Sequence, residues 1–395
     1  MVSFAEIEGN DYNLNIPRYI DSSSAEDLHD LSAHLNGGIP NRDIDDLDSY
    51  WQVFPNLRNS LFKDEREGYS QALVKGAEVK ATILAHPEFK HFAEQSLNIF
   101  EQWQGDANLA NINVGEFPKD IIHRISENLL QAYTGNALLD RYDLYQIIMD
   151  YWAETMQDDI YFITQDGWAA ANSVRELVAK KGEKLKETPD LIINKRKFKA
   201  ELIPPILIVN RFFANEKSAL DEKQVAQDAT TQELDAYIEE HAVENGLLED
   251  ALTDSGKVTK ASVTARLKAL NSSESASAEN KEERDALTHT KTLFETDTKN
   301  KRAVKEAQET LDKQVLEQYP TLTEAQIKTL IVEDKWLTTL RANITAEIER
   351  VTQQLANRVK TLEERYAEPL PSLTQSVEIL SANVDEHLKK MGLRW

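Results

Sequence analysis

Cysteine is absent from this sequence of 395 residues. The absence excludes disulfide bonds, thiolate zinc sites and a cysteine nucleophile, and it is compatible with a reducing compartment. Long hydrophobic runs are missing as well. No stretch approaches the ~20 apolar residues that span a bilayer, and the N-terminus lacks a basic-then-apolar signal pattern. We therefore expect a cytoplasmic protein that makes no use of a membrane.

Positive charge is scarce relative to negative charge. The sequence has 45 Lys and Arg against 68 Asp and Glu, which gives a formal net charge of -23. Affinity for nucleic acid comes from clustered cations that release counterions from phosphates, so any DNA contact has to be local. The Lys and Arg residues are interleaved with the Asp and Glu residues. This pattern disfavours mimicry of DNA and favours solubility as the reason for the acidic surface.

Motifs for methyl transfer are also missing. Methyltransferases that use S-adenosylmethionine need a glycine-rich turn where the backbone approaches the cofactor, and no Gly-x-Gly occurs here. Amino-methyltransferases grip the amino group of a flipped base with Asn or Asp followed by Pro-Pro and an aromatic ring. The single Pro-Pro pair, Pro204-Pro205, lies between two isoleucines and lacks both the acceptor and the ring. We predict no catalytic residue and no cofactor site in this chain.

Candidate metal ligands and paired acids are equally sparse. His86 and His91 are five residues apart, which is not a zinc spacing on one helix face, so we predict no metal site. Glu154, Asp158 and Asp159 bring carboxylates to one helix end. Without a basic or aromatic partner nearby in the sequence, such acids are typical of a solvated face.

The distribution of residues predicts a mostly α fold with minor β content and long polar helices. Proline is absent between Pro205 and Pro320, and aromatics concentrate before residue 169. We predict a helical globular domain with an aromatic core at 26–215 and a polar helical insertion at 216–318, with a flexible middle near 271–280 and no continuation of the core. An aromatic stripe recurs at helical spacing and is expected to face the core; it comprises Leu138, Tyr142, Tyr145, Met149 and Trp152.

The last segment, 319–395, carries the clearest local signals. Thr323 and Gln326 have the spacing of a capping box, and Leu322 and Ile327 occupy the positions of a hydrophobic staple. These signals predict that a helix begins at this point in the chain.

Apolar residues then follow an eleven-residue repeat, which favours a nearly straight coiled coil. The repeat comprises Leu337, Leu340, Ile344, Ile348, Val351, Leu355, Val359, Leu362 and Tyr366. Pro369 and Pro371 are expected to end this helix, and Ser372 with Gln375 to cap a second one. The second helix carries a stripe of Leu373, Val377, Leu380, Val384, Leu388 and Met391.

The short connection predicts a C-terminal antiparallel helical hairpin or coiled coil. The two narrow apolar stripes could bury each other in a self-contained hairpin, or they could pack in an intermolecular helix bundle. In the second case the stripe residues from Leu337 to Leu362, and Val377, Leu380, Val384 and Leu388 after them, are candidate partner-binding residues.

One basic cluster stands out against the acidic average. It comprises Lys195, Arg196, Lys197 and Lys199 around Phe198, with further lysines upstream at 180, 181, 184 and 186. Such a cluster could contact DNA phosphates with little base specificity, and a solvated charged loop is the alternative.

Several strings resemble the modification (M) subunits of type I restriction–modification systems. They are 6–21, with Asn10-Asp11-Tyr12-Asn13 at its centre, the middle segments 139–146 and 149–159, and the tail strings 334–337, 358–360, 364–366 and 387–392. In that family the cofactor loop and the Asn-Pro-Pro-aromatic tetrad lie upstream of the point that corresponds to residue 1. The resemblance therefore implies the C-terminal half of an M subunit, with 1–25 as the final edge of an adenine-N6 methyltransferase domain.

The resemblance also implies partners. M subunits use S-adenosylmethionine and work as a pair with a specificity (S) subunit that reads DNA, and their C-terminal helices pack against helical spacers of S. The catalytic M region, the restriction (R) subunit and DNA are further expected partners. We expect a chain that is inactive alone and serves M–S association and the enclosure of DNA. The rival hypothesis is a stand-alone helical scaffold or DNA-binding adaptor, and the reading frame directly upstream would distinguish the two.

Overall fold

A computed structural model of the chain describes residues 29–178, 185–272 and 281–392, together with Glu8 and Tyr12. The predicted edge of a methyltransferase domain at 1–25 and most of the flexible middle near 271–280 lie outside these residues. The prediction of a mostly α fold with minor β content is confirmed. Among the described residues, no helix combines the length and the apolar character needed to cross a membrane.

The elements follow one another along the chain in an order dominated by helices. The elements between residues 31 and 166 include the first sheet. They are α1 (Leu31–Asn36), β1 (Ile39–Pro40), α2 (Asn41–Asp45), α3 (Asp48–Val53), α4 (Pro55–Leu61), β2 (Phe62–Arg66), β3 (Tyr69–Ala72), α5 (Gly76–Ala85), α6 (Pro87–Ala107), α7 (Pro118–Ala132), α8 (Arg141–Tyr151) and α9 (Gln157–Asp166). A π-helical turn, Trp152–Met156, joins α8 to α9.

The second part of the chain contains the longer helices. Its elements are β4 (Arg175–Glu176), β5 (Leu191–Ile193), β6 (Arg196–Lys199), α10 (Pro205–Phe212), α11 (Ala214–His241), α12 (Lys260–Ser272), α13 (Lys281–Gln318), α14 (Glu324–Lys328), α15 (Thr338–Tyr366) and α16 (Leu370–Lys390). A longer π-helical segment, Thr329–Leu337, connects α14 to α15.

The chain divides into two compact units, each built from separated stretches of sequence. Unit 1 takes Met1–Ser96, Ala137–Leu139 and Glu347–Trp395, and unit 2 takes Leu97–Asn136 and Asp140–Ala346. These divisions differ from the expected boundaries after 215 and 318. Prediction of domains from sequence assumes that each domain is one continuous segment. Here the single helices α6 and α15 each contribute residues to both units.

Unit 1 contains a three-stranded antiparallel sheet in the order β1-β3-β2. The Trp51 indole donates a hydrogen bond to the Ile44 carbonyl at 2.6 Å, and Phe54 packs edge-on against Phe92. At the end of α15 the Tyr366 hydroxyl donates to the carboxylate of Asp43 at 3.2 Å. The core of this unit therefore combines short N-terminal helices with the second half of α15.

Unit 2 has a core of large aromatic side chains whose polar atoms are satisfied. The indoles of Trp103 and Trp168 donate to the carbonyls of Ile125 and Ile112, at 3.0 and 2.9 Å. The buried Tyr319 hydroxyl donates to the Ile203 carbonyl at 2.6 Å. Burial of these rings supplies apolar area while each donor keeps a partner, which avoids the cost of an unmade hydrogen bond.

The aromatic stripe on α8 is only partly correct as a core face. Tyr142 is 51% exposed, and Tyr145 and Met149 are half-buried. The buried face of α8 instead carries the aliphatic residues Leu144 and Ile148 with Tyr151, and Trp152 follows in the π-helical turn. Leu144, Ile148 and Tyr151 also recur at helical spacing, so spacing alone does not decide which of the two stripes faces the core.

The polar insertion contains a small apolar core of its own, which the sequence analysis did not predict. Residues from α12, α13 and the turns between α11 and α12 are buried together; they are Leu248, Ala251, Val263, Leu270, Ala286 and Leu287, with Tyr237 of α11 and Phe294 of α13 packed alongside. Few apolar residues suffice because the helices lie against one another along much of their length, so polar faces remain free for solvent.

The local signals of the last segment are confirmed at its first helix. Thr323 and Gln326 form both hydrogen bonds of the capping box, and the staple residues Leu322 and Ile327 are buried. The second helix was predicted three residues too late. It begins at Leu370, with Pro369 rather than Ser372 at the N-cap, because proline is tolerated in the first turn, where its missing N–H has no helical partner.

Candidate functional site

The eleven-residue repeat lies inside the folded chain. Every one of its members from Leu337 to Tyr366 is buried. Leu337, Leu340, Ile344, Ile348, Val351, Leu355, Val359 and Leu362 were candidate partner-binding residues, and their burial removes them from the accessible surface. The repeat belongs to the core of this chain because other segments of the same chain cover it.

The last helix, α16, has the opposite environment, so the two stripes do not close into a self-contained hairpin. None of its residues is buried. Val377 is 61% exposed, Leu380 62% and Val384 55%, and Leu388 is half-buried. We refer to Leu373, Val377, Leu380, Val384, Leu388 and Met391 as the α16 seam.

The start of α16 is held in place within unit 1. Gly37 ends α1 with a φ of 77° and a ψ of 177°, a conformation that few residues other than glycine adopt. A methyl group at this glycine would approach the Pro369 ring to 3.3 Å. The turn after α1 therefore packs closely against the proline at which α16 begins, which anchors one end of the exposed seam.

The charges of α16 lie away from its seam. At 100° per residue, Glu378, Glu386 and Lys389 fall on the side of the helix opposite Val377, Leu380 and Val384. Glu386 forms an ion pair with Lys390 at 2.7 Å along this solvated side. An uncharged apolar row on an otherwise polar helix is typical of a helix that packs against a partner.

The basic cluster forms a β-hairpin between β5 and β6 of the sheet β4-β6-β5 in unit 2. Asn194 and Lys195 make its turn with φ values of 51° and 67°, as a two-residue hairpin turn requires. The hairpin places Lys195 at the tip and Arg196, Lys197 and Lys199 along the second strand. The structure therefore gathers the four predicted cations on one element.

Two of these cations are already paired with acids. Arg196 donates two hydrogen bonds to Glu176, which lower the pKa of that carboxyl, and Lys199 binds Asp190 at 2.9 Å. Lys195 and Lys197 have no ion pair within the described part of the chain. Lys195 and Lys197 are therefore the cations of the hairpin that remain free to contact a phosphate.

The acids around the start of α9 include one whose environment differs from the predicted solvated face. Asp159 is buried, and its carboxylate accepts hydrogen bonds from the Lys335 ammonium at 2.8 and 2.6 Å and from the Trp336 indole at 2.8 Å. Lys335 also donates to the Leu202 carbonyl at 2.8 Å. Asp159 thus has the basic and aromatic partners that seemed to be missing, because they lie far away in the sequence.

This cluster has the character of a structural centre. Burial raises the pKa of Asp159, and the hydrogen bonds from Lys335 and Trp336 oppose that rise. All three donors of the ammonium group are directed at protein oxygens, so Lys335 is not poised as a nucleophile. Both π-helical segments border the cluster, and each widens the helix where a buried polar group has to be accommodated.

No metal-binding cluster of three or more histidine and acidic residues occurs among the described residues. The chain matches no protein-family model, no curated protein and no solved structure. The features of this chain that bear on function are the exposed α16 seam, the β5–β6 hairpin and the sequence resemblance.

Proposed function

We propose that the chain is the C-terminal part of a type I restriction–modification M subunit, acting in association with the specificity subunit and in the enclosure of DNA for adenine-N6 methylation. The observation that carries the proposal is the exposed, uncharged α16 seam. A helix with one apolar row that the described part of its own chain leaves exposed is suited to packing against helices of another protein.

Covering the seam would contribute free energy to association through burial of apolar surface. Covering a Leu, Val or Ile side chain contributes about 1.5–3 kcal/mol when it is fully exposed beforehand. The seam residues are roughly half exposed, so their burial would contribute on the order of 5–10 kcal/mol before the costs of association. A helical spacer of the specificity subunit is the partner that we assign to this surface.

Two of the quoted family strings meet in unit 2, which further supports the proposal. Asp159 ends the string 149–159, and Lys335 and Trp336 lie in the string 334–337. Their mutual hydrogen bonds give a physical reason why these separated strings should occur together in one protein. The β5–β6 hairpin supplies a local cationic element for DNA on an otherwise acidic chain.

Co-purification with the specificity subunit tests the proposal. Leu380→Asp would bring a carboxylate into the dry centre of the interface, which costs several kcal/mol, and we expect loss of the complex. Gln375→Asp is the matched control because it adds the same group on the face that already carries Glu386. Circular dichroism should show both variants folded, since α16 buries no residue.

The rival, a stand-alone helical scaffold or adaptor, makes a different prediction. If Leu380→Asp keeps parental stoichiometry with the specificity subunit, the docking role of α16 is wrong. If the parent chain itself forms no complex with that subunit, the scaffold role is favoured. Purified chain should neither bind S-adenosylmethionine nor transfer methyl groups, and micromolar binding in isothermal titration would contradict the assignment of catalysis to another region.

A further inference from the structure

A cleft of about 470 Å³ opens in unit 2 beside helices α11 and α13. Its floor is apolar and mostly buried, and it includes Leu191, Val209, Leu220, Leu311 and Val315. Pro204 and Pro205, which begin α10, line one side. Neither proline carries an N–H that could donate to a ligand. We refer to this site as the α11–α13 cleft.

The charged groups around the cleft are unequally compensated. Lys217 forms an ion pair with Asp221, and Asp190 accepts hydrogen bonds from Lys199 and from the Ala200 N–H. These two carboxylates therefore have cationic partners within the chain.

Asp312 lacks such a partner. Its carboxylate accepts a hydrogen bond from the Gln308 amide at 2.7 Å, and no cation binds it among the described residues. The side chain is half-buried on the wall of the cleft, where burial and the nearby Glu309 raise its pKa. A carboxylate in this position favours a ligand that brings a positive charge and a hydrogen-bond donor.

The size of the cleft restricts the ligand further. A helix ~10 Å across occupies about 420 Å³ per turn, so the cleft would admit a single turn at most. Small-molecule sites commonly have volumes of about 300–1,000 Å³ and combine an apolar lining with few polar groups. The volume of this cleft is therefore suited to a small organic molecule rather than a protein helix.

We propose that the α11–α13 cleft binds a small amphipathic amine, with the hydrocarbon body on the apolar floor and the ammonium group on Asp312. Anions are disfavoured by the carboxylates at the rim. Neutral apolar molecules would contact the apolar floor of the cleft but would leave the Asp312 carboxylate without a cation. This site is independent of the proposed roles of α16 and of the β5–β6 hairpin.

The test uses the full chain with methyl-labelled Leu and Val and three probes of similar size. We expect 2-phenylethylamine to shift the methyl resonances of Leu220, Leu311 and Val315, and to bind more tightly than 2-phenylethanol. The anion 3-phenylpropanoate should bind least. Asp312→Asn should lower the affinity for the amine about fivefold and leave that for the alcohol unchanged, since a charged hydrogen bond at a half-exposed site is partly screened.

Asp285→Asn is the matched control, because it removes the same charge from an exposed position on the same helix. Val304→Trp should fill the cleft and abolish binding of amine and alcohol alike, with thermal unfolding confirming that the variant is folded. The proposal is overturned if millimolar amine shifts no cleft methyl group. Equal affinities for amine and alcohol, or unchanged amine affinity in Asp312→Asn, would also overturn it.

Discussion

The ammonium group of Lys335 binds both carboxylate oxygens of Asp159 in a site nearly closed to solvent, 176 residues away along the chain. A buried pair of this kind adds little net stability compared with an apolar pair of similar volume. Removing one partner is costly, however, because it leaves the other charge buried without compensation.

We therefore predict that Lys335→Met lowers the free energy of unfolding by about 3–5 kcal/mol, measured by urea denaturation. The double variant Asp159→Leu with Lys335→Met should recover most of that loss. Lys390→Met serves as a control, since its exposed pair with Glu386 should matter by less than about 1 kcal/mol. A loss below about 1 kcal/mol for Lys335→Met would show that water reaches Asp159.

Gly37 should resist substitution because of its backbone conformation. Gly37→Ala is expected to lower the free energy of unfolding by about 1–3 kcal/mol, since alanine rarely adopts this φ and its methyl group would meet Pro369. Gly105→Ala is the matched control; it lies within α6 with nothing near the added methyl group and should stabilise by about 0.5–1 kcal/mol. Equal effects of the two substitutions in thermal unfolding would contradict the assignment.

The β5–β6 hairpin should bind phosphates through Lys195 and Lys197. Replacing both by Gln in the assembled complex is expected to weaken DNA binding equally for all sequences and to reduce the salt slope by about 2. The control is the double variant Lys299→Gln with Lys313→Gln, at exposed positions of α13. It has the same net charge as the hairpin variant. An unchanged slope in fluorescence anisotropy would identify the hairpin as a solvated element without a DNA role.

Asp297 should make the stability of unit 2 depend on pH. Burial acts to raise its pKa, but hydrogen bonds from Lys301 and Thr231 lower it below the ordinary value. A carboxyl with a depressed pKa stabilises the fold above its unfolded pKa, and that contribution is lost as the pH falls through the depressed value.

Asp297→Asn should therefore cost about 1–2 kcal/mol at pH 7, and the deficit relative to the parent should shrink below about pH 4. The measurement is urea unfolding at several pH values. Asp285→Asn, an exposed change on the same helix, should show no such dependence. A deficit that stays constant down to pH 3 would mean that the lowered pKa is not a property of the folded state.

Several features followed from local sequence. Thr323 and Gln326 predicted the capping box, and the eleven-residue repeat marked the residues of α15 that face the core. These succeed because a helix cap involves residues three positions apart and because the helical period fixes which side chains share a face. The same logic failed on α8, because two stripes there have helical spacing and packing buries the one with Leu144 and Ile148, leaving Tyr142 exposed.

The mostly helical content, the capping box at Thr323 and the apolar face of α15 follow from the sequence, since these depend on neighbours within a few residues. Leu355 on α15 and Leu380 on α16 belong to stripes of the same kind, yet one is buried and the other exposed. The burial of one stripe and the exposure of the other, within the described part of the chain, depend on how distant segments pack in the folded protein. Only the tertiary structure decided that Asp159 meets Lys335, because such contacts depend on segments brought together from distant parts of the sequence.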